Sequence, residues 1–518
     1  MADSFAPVAL ISDADPEALI SVAIGLTHPI ALESRDVASM VERATDFLEK
    51  EGFALTALGR QTIVVTGPVR LFEQVFKSKL GQRSIANAWN CSSRVDRIVV
   101  EPAVWRQYEA LESFVADITV ERTHIYLAAP DPCVALPPRV PRPWSTLGNP
   151  FAAVSALPPP VQGFRCIDVL ADVPRLLRAE KAHADGVLGE GIRVVMIDTG
   201  FAHGHPFFVG KYQSKVCLAP LLDPANTEFD VDRKGHGTAQ SANLFAIAPK
   251  VELIGIKLSH DQDVDDTPLL APFLAALKHQ PHIVSISLAY DLADEQSREP
   301  ETVLRSDLKP LEREIGHAVA AGIIVVAGAG NGHFGFPAQM PEVIAVGGVF
   351  AEDEDLRASD FASAFKSAIY AGRNVPDCCG LVGEAPDGRY IVLPLPPGSS
   401  MDREFAAGSA APDRADSTKP DDGWAVFSGT SAATPQVAGV CALMLSVNPD
   451  LKPADVLRIL RATARPVATG SASALSVPPN GTAMEGEDAT GAGLVDASAA
   501  VDRARAEIRP PGAIPPDV

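Results

Sequence analysis

Residues 193–200 read RVVMIDTG. Arg193–Ile197 (RVVMI) is short, apolar and rich in β-branched residues, and Asp198-Thr199-Gly200 ends it as a turn. A strand that is apolar at successive positions, as Val194–Ile197 is, belongs in a sheet covered on both faces. More segments of this kind follow: Val251–Lys257 (VELIGIK), Ile283–Leu288 (IVSISL), Ile323–Ala327 (IIVVA) and Val343–Val346 (VIAV). Helical stretches lie between them, Pro268–His279 and Leu311–Ala321 among them. Such alternation predicts an α/β fold, a parallel sheet with helices on both faces. In open sheets of this type ligands sit outside the carboxyl ends of the strands, and Asp198 stands at such an end.

The rest of the chain divides around this core. Residues 1–127 carry a helix at Val37–Glu51 with apolar residues at Val37, Met40, Val41, Ala44, Phe47 and Leu48, closed by Gly52. A strand at Gln61–Thr66 and a helix at Arg70–Leu80 follow, so a small α+β, ferredoxin-like domain is expected. Residues 128–175 are a proline-rich linker (AAPDPCVALPPRVPRPW, ALPPPVQG), extended rather than packed. Residues 176–505 form the α/β domain, with a surface insertion expected over about 365–424. Residues 506–518 are a disordered tail.

Composition excludes some roles. Apolar residues make up 47% of the 518, enough for a sizeable core. A net charge of −21 disfavours a nucleic-acid surface or an anionic membrane. The seven cysteines are scattered without a Cys-x-x-Cys pair, as expected of free thiols in a reducing compartment. The first residues, MADSFAPVALISDADPEALI, lack a basic n-region, and no run of 18 apolar residues occurs. The expectation is a cytoplasmic protein, with signal-independent export left open.

Three segments carry chemistry. They are VVMIDTG with Asp198, GHGTA with His236, and FSGTSAATPQVAGVCALML with Ser431 just before a helix. A serine hydroxyl is a poor nucleophile until a base takes its proton. An imidazole can do so near neutral pH and return the proton to a leaving amine. A buried carboxylate fixes the tautomer and stabilises the imidazolium. Gly429, Ala432 and Ala433 leave room for a peptide backbone, and the helix N-terminus favours a developing oxyanion. Each segment alone has a plainer reading, as a turn, a surface or core histidine, or a helix cap. Their order in one chain is far more specific.

From about 176 to 500 the chain resembles the subtilases, the subtilisin-like serine peptidases. The matching stretches are DTGFAHGHP, GHGT, AP-KVELIGIKL, VSISLA, VVAGAGNGHFGFPA, VIAVGGV, FSGTSAATPQVAG and the late GAGLVDASAA. The order Asp, His, Ser is the one subtilisins use. The resemblance implies that Asp198, His236 and Ser431 form a catalytic triad and that Asn331 donates to the oxyanion. It implies that Ser287, Leu288 and Ala289 pair with the substrate backbone, with Gly328 lining the pocket before the scissile bond. The implied activity is serine endopeptidase, acting on peptide or protein substrates through an acyl-enzyme.

Departures qualify the resemblance. After GHGT come Ala239-Gln240-Ser241-Ala242 where His-Val-Ala-Gly is usual, and Gln436 replaces a histidine. Tyr290 stands where a glycine is common and is expected to narrow the cleft. Phe207 occupies a usual calcium-ligand position. No metal or other cofactor is therefore assigned, calcium staying open, and Phe207 is expected to be a hydrophobic anchor.

Residues 48–80 (LEKEGFALTALGRQTIVVTGPVRLFEQVFKSKL) resemble the activation domain of sedolisins, the kumamolisin group. That implies a zymogen whose own N-terminal domain acts as intramolecular inhibitor or chaperone, with the linker cut on release. Sedolisins carry a glutamate in place of the histidine and an aspartate at the oxyanion position. His236 and Asn331 favour the subtilisin form and activity near neutral pH. The alternatives are a permanently attached regulatory domain, a non-catalytic scaffold on the same fold, and a sedolisin-like acid peptidase.

Overall fold

The computed structural model describes residues 12–13, 16–27, 30, 35–86, 93–99, 103–112, 115–121, 151, 154–161, 165–220, 229–258, 268–293, 299–352, 354–383, 389–408, 416–472 and 484–508. The strand Arg193–Asp198 lies inside a ten-stranded sheet. Seven of the strands run parallel, in the order Gln213–Leu218, Glu252–Lys257, Arg193–Asp198, Ile283–Ile286, Ile324–Gly328, Ile344–Glu352, Cys378–Leu381. Both faces of the Asp198 strand are buried, as its unbroken apolar run requires. Val194 and Met196 join one core cluster, while Val195 and Ile197 join the cluster on the opposite face. Full burial of each such side chain stabilises the fold by about 1.5–3 kcal/mol.

The strand order creates the site. After Asp198 the chain runs outward to Gln213–Leu218 and returns through Glu252–Lys257. It then crosses to Ile283–Ile286 on the other flank of the Asp198 strand. Loops leaving these two neighbouring strands diverge, so a crevice opens at their carboxyl ends, a topological switch point. Asp198 and Ser287 stand at its two lips.

Two long helices pack together on one face. They are His236–Ile247 and Thr430–Val447, in contact where Gly439 meets Ile247. The second is long and apolar enough to cross a membrane, but 89% of it is buried inside the protein, so it is a core helix. Helices Leu270–Leu277 and Lys309–Ala320 cover the other face.

The N-terminal region is a four-stranded antiparallel sheet in the order Ala54–Leu58, Thr62–Pro68, Leu19–Leu26, Val115–Val120. With helices Arg35–Glu51 and Val69–Phe76 it follows the β-α-β-β-α-β, ferredoxin-like order. Alternation along its strands splits the sheet between two cores. Ile63 and Val65 pack under the domain's own helices, while Val64, Ala23 and Ala57 join the core of the larger domain. The N-terminal sheet thus lies on the helices Leu270–Leu277 and Lys309–Ala320.

Polar groups reinforce this seam. Glu314 accepts the backbone N–H groups of Arg60 (2.9 Å) and Gln61 (2.7 Å) in the hairpin turn. Arg313 forks onto Asp117 at 3.0 and 3.2 Å, and His317 Nε2 lies 3.0 Å from Gln61 Oε1. Glu121 is buried, hydrogen-bonded to the Ser21 hydroxyl and the Leu270 backbone, and burial pushes its carboxyl up to about 7.

Two segment readings need correction. The expected surface insertion over 365–424 is not one. Its residues Cys378–Leu381 form a fully buried strand beside Ile344–Glu352, and Arg389–Pro394 with Trp424–Phe427 builds a second sheet. Glycines and prolines there mark tight turns between short strands. The linker reading also runs too far. Arg165–Asp168 pairs with Arg389–Val392, and Val169 and Val173 enter the core. Residues 122–150 and 509–518, which hold the first half of the expected linker and most of the expected tail, lie outside the described residues, as do Cys91 and Cys133.

Candidate active site

Asp198 ends its strand fully buried, and the His236 helix starts against it. Gly237 makes this approach possible, because a Cβ there would lie 2.2 Å from the Gly200 carbonyl oxygen and 2.8 Å from Asp198 Cβ. His236 Nδ1 donates to Asp198 Oδ1 at 2.7 Å, and the Thr199 N–H donates to the same oxygen at 2.7 Å. A carboxylate only accepts, so the proton is on Nδ1 and Nε2 carries the lone pair. Nε2 is buried and has no hydrogen-bond partner among the described residues.

Ser431 sits in the first turn of its helix, 7% exposed. Its hydroxyl donates to the Ser287 carbonyl at 3.1 Å, and the Ser287 hydroxyl donates back to the Ser431 carbonyl at 3.1 Å. Pro435 explains the second bond. It stands four residues after Ser431 and has no N–H, so the Ser431 carbonyl lacks its helical donor. Ser287 supplies one instead and ties the Ser431 backbone to the adjacent strand end. Leu288 and Ala289 follow Ser287, both buried. Gly328 packs against the Ser431 helix, where a Cβ would lie 3.1 Å from Thr434 Oγ1 and 3.3 Å from Thr430 Oγ1.

Asn331 is oriented by a donor that cannot be mistaken for an acceptor. The Thr430 backbone N–H, 2.8 Å away, faces the amide oxygen Oδ1, as does the Thr430 hydroxyl at 3.1 Å. The amide N–H₂ is therefore left as the outward donor. It lies beside Gly429, next to the helix that carries Ser431. Asp198 and His236 are thus in direct contact, and Ser431, Ser287, Gly328 and Asn331 form a second connected group.

Several supporting residues escaped the sequence reading. Asp232 is buried, and its carboxylate accepts from the Thr199 hydroxyl (2.8 Å), Gly235 N–H (2.8 Å), Thr238 N–H (3.0 Å) and Thr238 hydroxyl (2.8 Å). It clamps the Asp198 turn to the start of the His236 helix. A short acidic side chain just before a glycine turn is the usual acceptor for such N–H groups, which is the signal that marks it. The helix Ser400–Ala407 holds the same loop from behind, with the N–H groups of Ser400 and Met401 on the carbonyls of Arg233 and Lys234. Asp402, which accepts from Gly398 N–H, is pushed up to about 8 by burial.

The departures also find places. Gln436 accepts from Leu381 N–H at 2.8 Å and donates to Asn243 Oδ1 at 3.0 Å, while Asn243 donates to Gln240 at 3.2 Å. Two substituted positions thus belong to one buried chain of amides joining the helices of His236 and Ser431 to the sheet. Phe207 is a buried anchor among Phe208, Tyr212 and Trp424. His205 is in the same cluster, pushed down to about 4 by burial. Tyr290 does not narrow the cleft. It is 2% exposed, packed in the core, and its hydroxyl accepts from Leu269 N–H at 2.9 Å.

Comparisons with known proteins give the family and the fold. The profile of the subtilase family matches residues 189–493. Alkaline elastase YaB of Bacillus sp. (strain YaB) is 27% identical over 301 residues, 56% of this chain and 63% of that protein. Subtilisin DY of Bacillus licheniformis is 26% identical over 306 residues, 56% of this chain and 89% of that protein. The chain thus spans a little under two thirds of alkaline elastase YaB. Among solved structures, fervidolysin from Fervidobacterium pennivorans, a keratinolytic enzyme related to subtilisin, superposes with a TM-score of 0.52 at 16% identity. The match covers 94% of this chain and 61% of fervidolysin, and it speaks to the fold alone.

Proposed function

The chain belongs to the subtilase family, and on that premise we propose that it is a serine endopeptidase made as a zymogen. The observation that carries this reading is the buried Asp198–His236 pair, whose Nε2 has no hydrogen-bond partner among the described residues. His236 Nε2 takes the Ser431 proton as Oγ forms its bond to the scissile carbonyl carbon. The Asn331 amide N–H₂ donates to the carbonyl oxygen as it becomes negative, which in comparable sites is worth about 3–4 kcal/mol. The carbon–nitrogen bond then breaks, and His236 returns the proton to the leaving amine. Water reverses the steps to free the acyl group. Ser287, Leu288 and Ala289 offer their backbone to an extended substrate as an added strand.

The N-terminal domain is read as intramolecular inhibitor and folding partner. Its docking on two helices of the larger domain supports this, with the proline-rich stretch as the segment to be cut. A serine-reactive fluorophosphonate, followed by intact mass, tests both parts. Wild type is expected to be labelled and to shed a fragment of about the N-terminal domain's mass. Ser431→Ala is expected to do neither, with kcat down about 10⁶-fold. No labelling of wild type at any pH would leave a binding scaffold, and labelling without self-cleavage would make the N-terminal domain a permanent regulator.

A further inference from the structure

Asn331 sits in the sequence Gly330-Asn331-Gly332, and both glycines have positive φ, 114° and 86°. Each glycine loses more backbone freedom on folding than any other residue would, so the turn needs holding in place. Thr430 anchors the Asn331 side chain, and the Thr430 hydroxyl lies 3.3 Å from Gly330 N–H. The other side of the turn is held by one residue from a distant loop. The Ser363 hydroxyl accepts Gly332 N–H and His333 N–H, each at 2.9 Å, and the Ser363 N–H donates to the Gly330 carbonyl at 2.8 Å. Ser363 is fully buried. Its own loop is fixed to the central sheet, with the Ser359 hydroxyl on the Gly383 carbonyl at 2.6 Å and Ser359 N–H on the Gly348 carbonyl at 3.1 Å.

We propose that Ser363 is a positioning residue for the reaction, pinning the Gly330–His333 turn so that the Asn331 amide points at the developing oxyanion. This rests on the peptidase reading above. The oxyanion donor gains its effect from being held in place before the charge appears. Without Ser363 two buried N–H groups lose their acceptor and the turn can shift. A displacement of about 1 Å in such a donor costs up to a hundredfold in rate. The effect should appear in kcat rather than KM, because the donor matters when the carbonyl oxygen is charged.

The test is a double-mutant cycle on purified, fully processed enzyme with a peptide substrate. Ser363→Ala is expected to lower kcat about ten- to hundredfold with KM within twofold. In the Asn331→Ala background the same change is expected to lower kcat by less than about twofold, because the donor it positions is gone. Ser363→Cys keeps the size and offers a weak acceptor, so it should fall between wild type and Ser363→Ala, and it serves where the alanine variant fails to fold. Equal losses in both backgrounds, a change confined to KM, or no change overturns the assignment. If wild type shows no Ser431-dependent hydrolysis, the peptidase reading falls and this assignment with it, an outcome separate from failure of the cycle alone.

Discussion

The catalytic crevice and the seam between the two domains both bury carboxylates, on different terms. Asp232 is 1% exposed and takes four hydrogen bonds, all from residues of its own domain. Glu314 is 1% exposed too, but its two donors, the N–H groups of Arg60 and Gln61, come from the other domain. Glu121 reaches the opposite way, onto Leu270. A buried carboxylate without donors costs several kcal/mol, whereas one in water costs nothing. The crevice is therefore wired by the fold that carries it. The seam is wired only while the domains touch, and separation leaves its charges solvated rather than stranded. That difference suits a removable inhibitor better than a structural half of one domain.

Breaking the crevice is expected to leave the seam intact. Asp198→Asn presents an amide to His236 and favours the wrong tautomer, so kcat should drop about 10⁴-fold. Fluorophosphonate labelling rates measure it, and hydrogen exchange at Gln61 should be unchanged. Breaking the seam should do the reverse. Glu314→Ala strands two N–H groups at about 1–3 kcal/mol each and weakens docking by about a hundredfold or more. Exchange at Arg60 and Gln61 should rise while Ser431 labelling holds or quickens. Slower labelling would mean that the two regions are not independent.

The next test uses pH. Glu121 has an ordinary carboxyl pKa of 4.5 when free and about 7 when docked, raised by burial, so docking takes up a proton. Docking is strongest below pH 4.5, weakens as the pH rises through about 7, and levels off above it. The full span is about 3 kcal/mol at 1.36 kcal/mol per unit. Protection of the seam from hydrogen exchange, corrected for intrinsic rates, should fall between pH 5 and 8 in wild type. Glu121→Gln should remove most of that slope. A slope that survives would overturn the assignment of the pH dependence to Glu121.

The parallel sheet, the two helices that begin at His236 and Thr430, and the Asp198–His236 contact were legible because each is written locally. VVMI after Arg193 is apolar at every position, and GHGT and GTS keep residue type and spacing together. What was not legible depends on partners far apart in the chain. Ser363 meets Gly332 from 31 residues away, and Gln436 meets Asn243 from 193. Cys378–Leu381 is too short, and too surrounded by glycine and proline, to be read as a buried central strand without its neighbour Ile344–Glu352. Tyr290 was misread for the same reason. Its position in the motif says which segment it belongs to, but not which way its ring turns.

The smallest effect belongs to that tyrosine, and it separates cleft from core. The Tyr290 hydroxyl accepts from Leu269 N–H, just before the helix Leu270–Leu277 on which the N-terminal sheet rests. Tyr290→Phe keeps the ring in the core and removes one acceptor, so the expected loss is about 1 kcal/mol. That is a fall of about 2–4 °C in melting temperature for a domain of this size. Substrate preference before the scissile bond should not move, because no part of the ring reaches the crevice. A changed preference in a peptide-library digest, at unchanged stability, would return Tyr290 to the cleft.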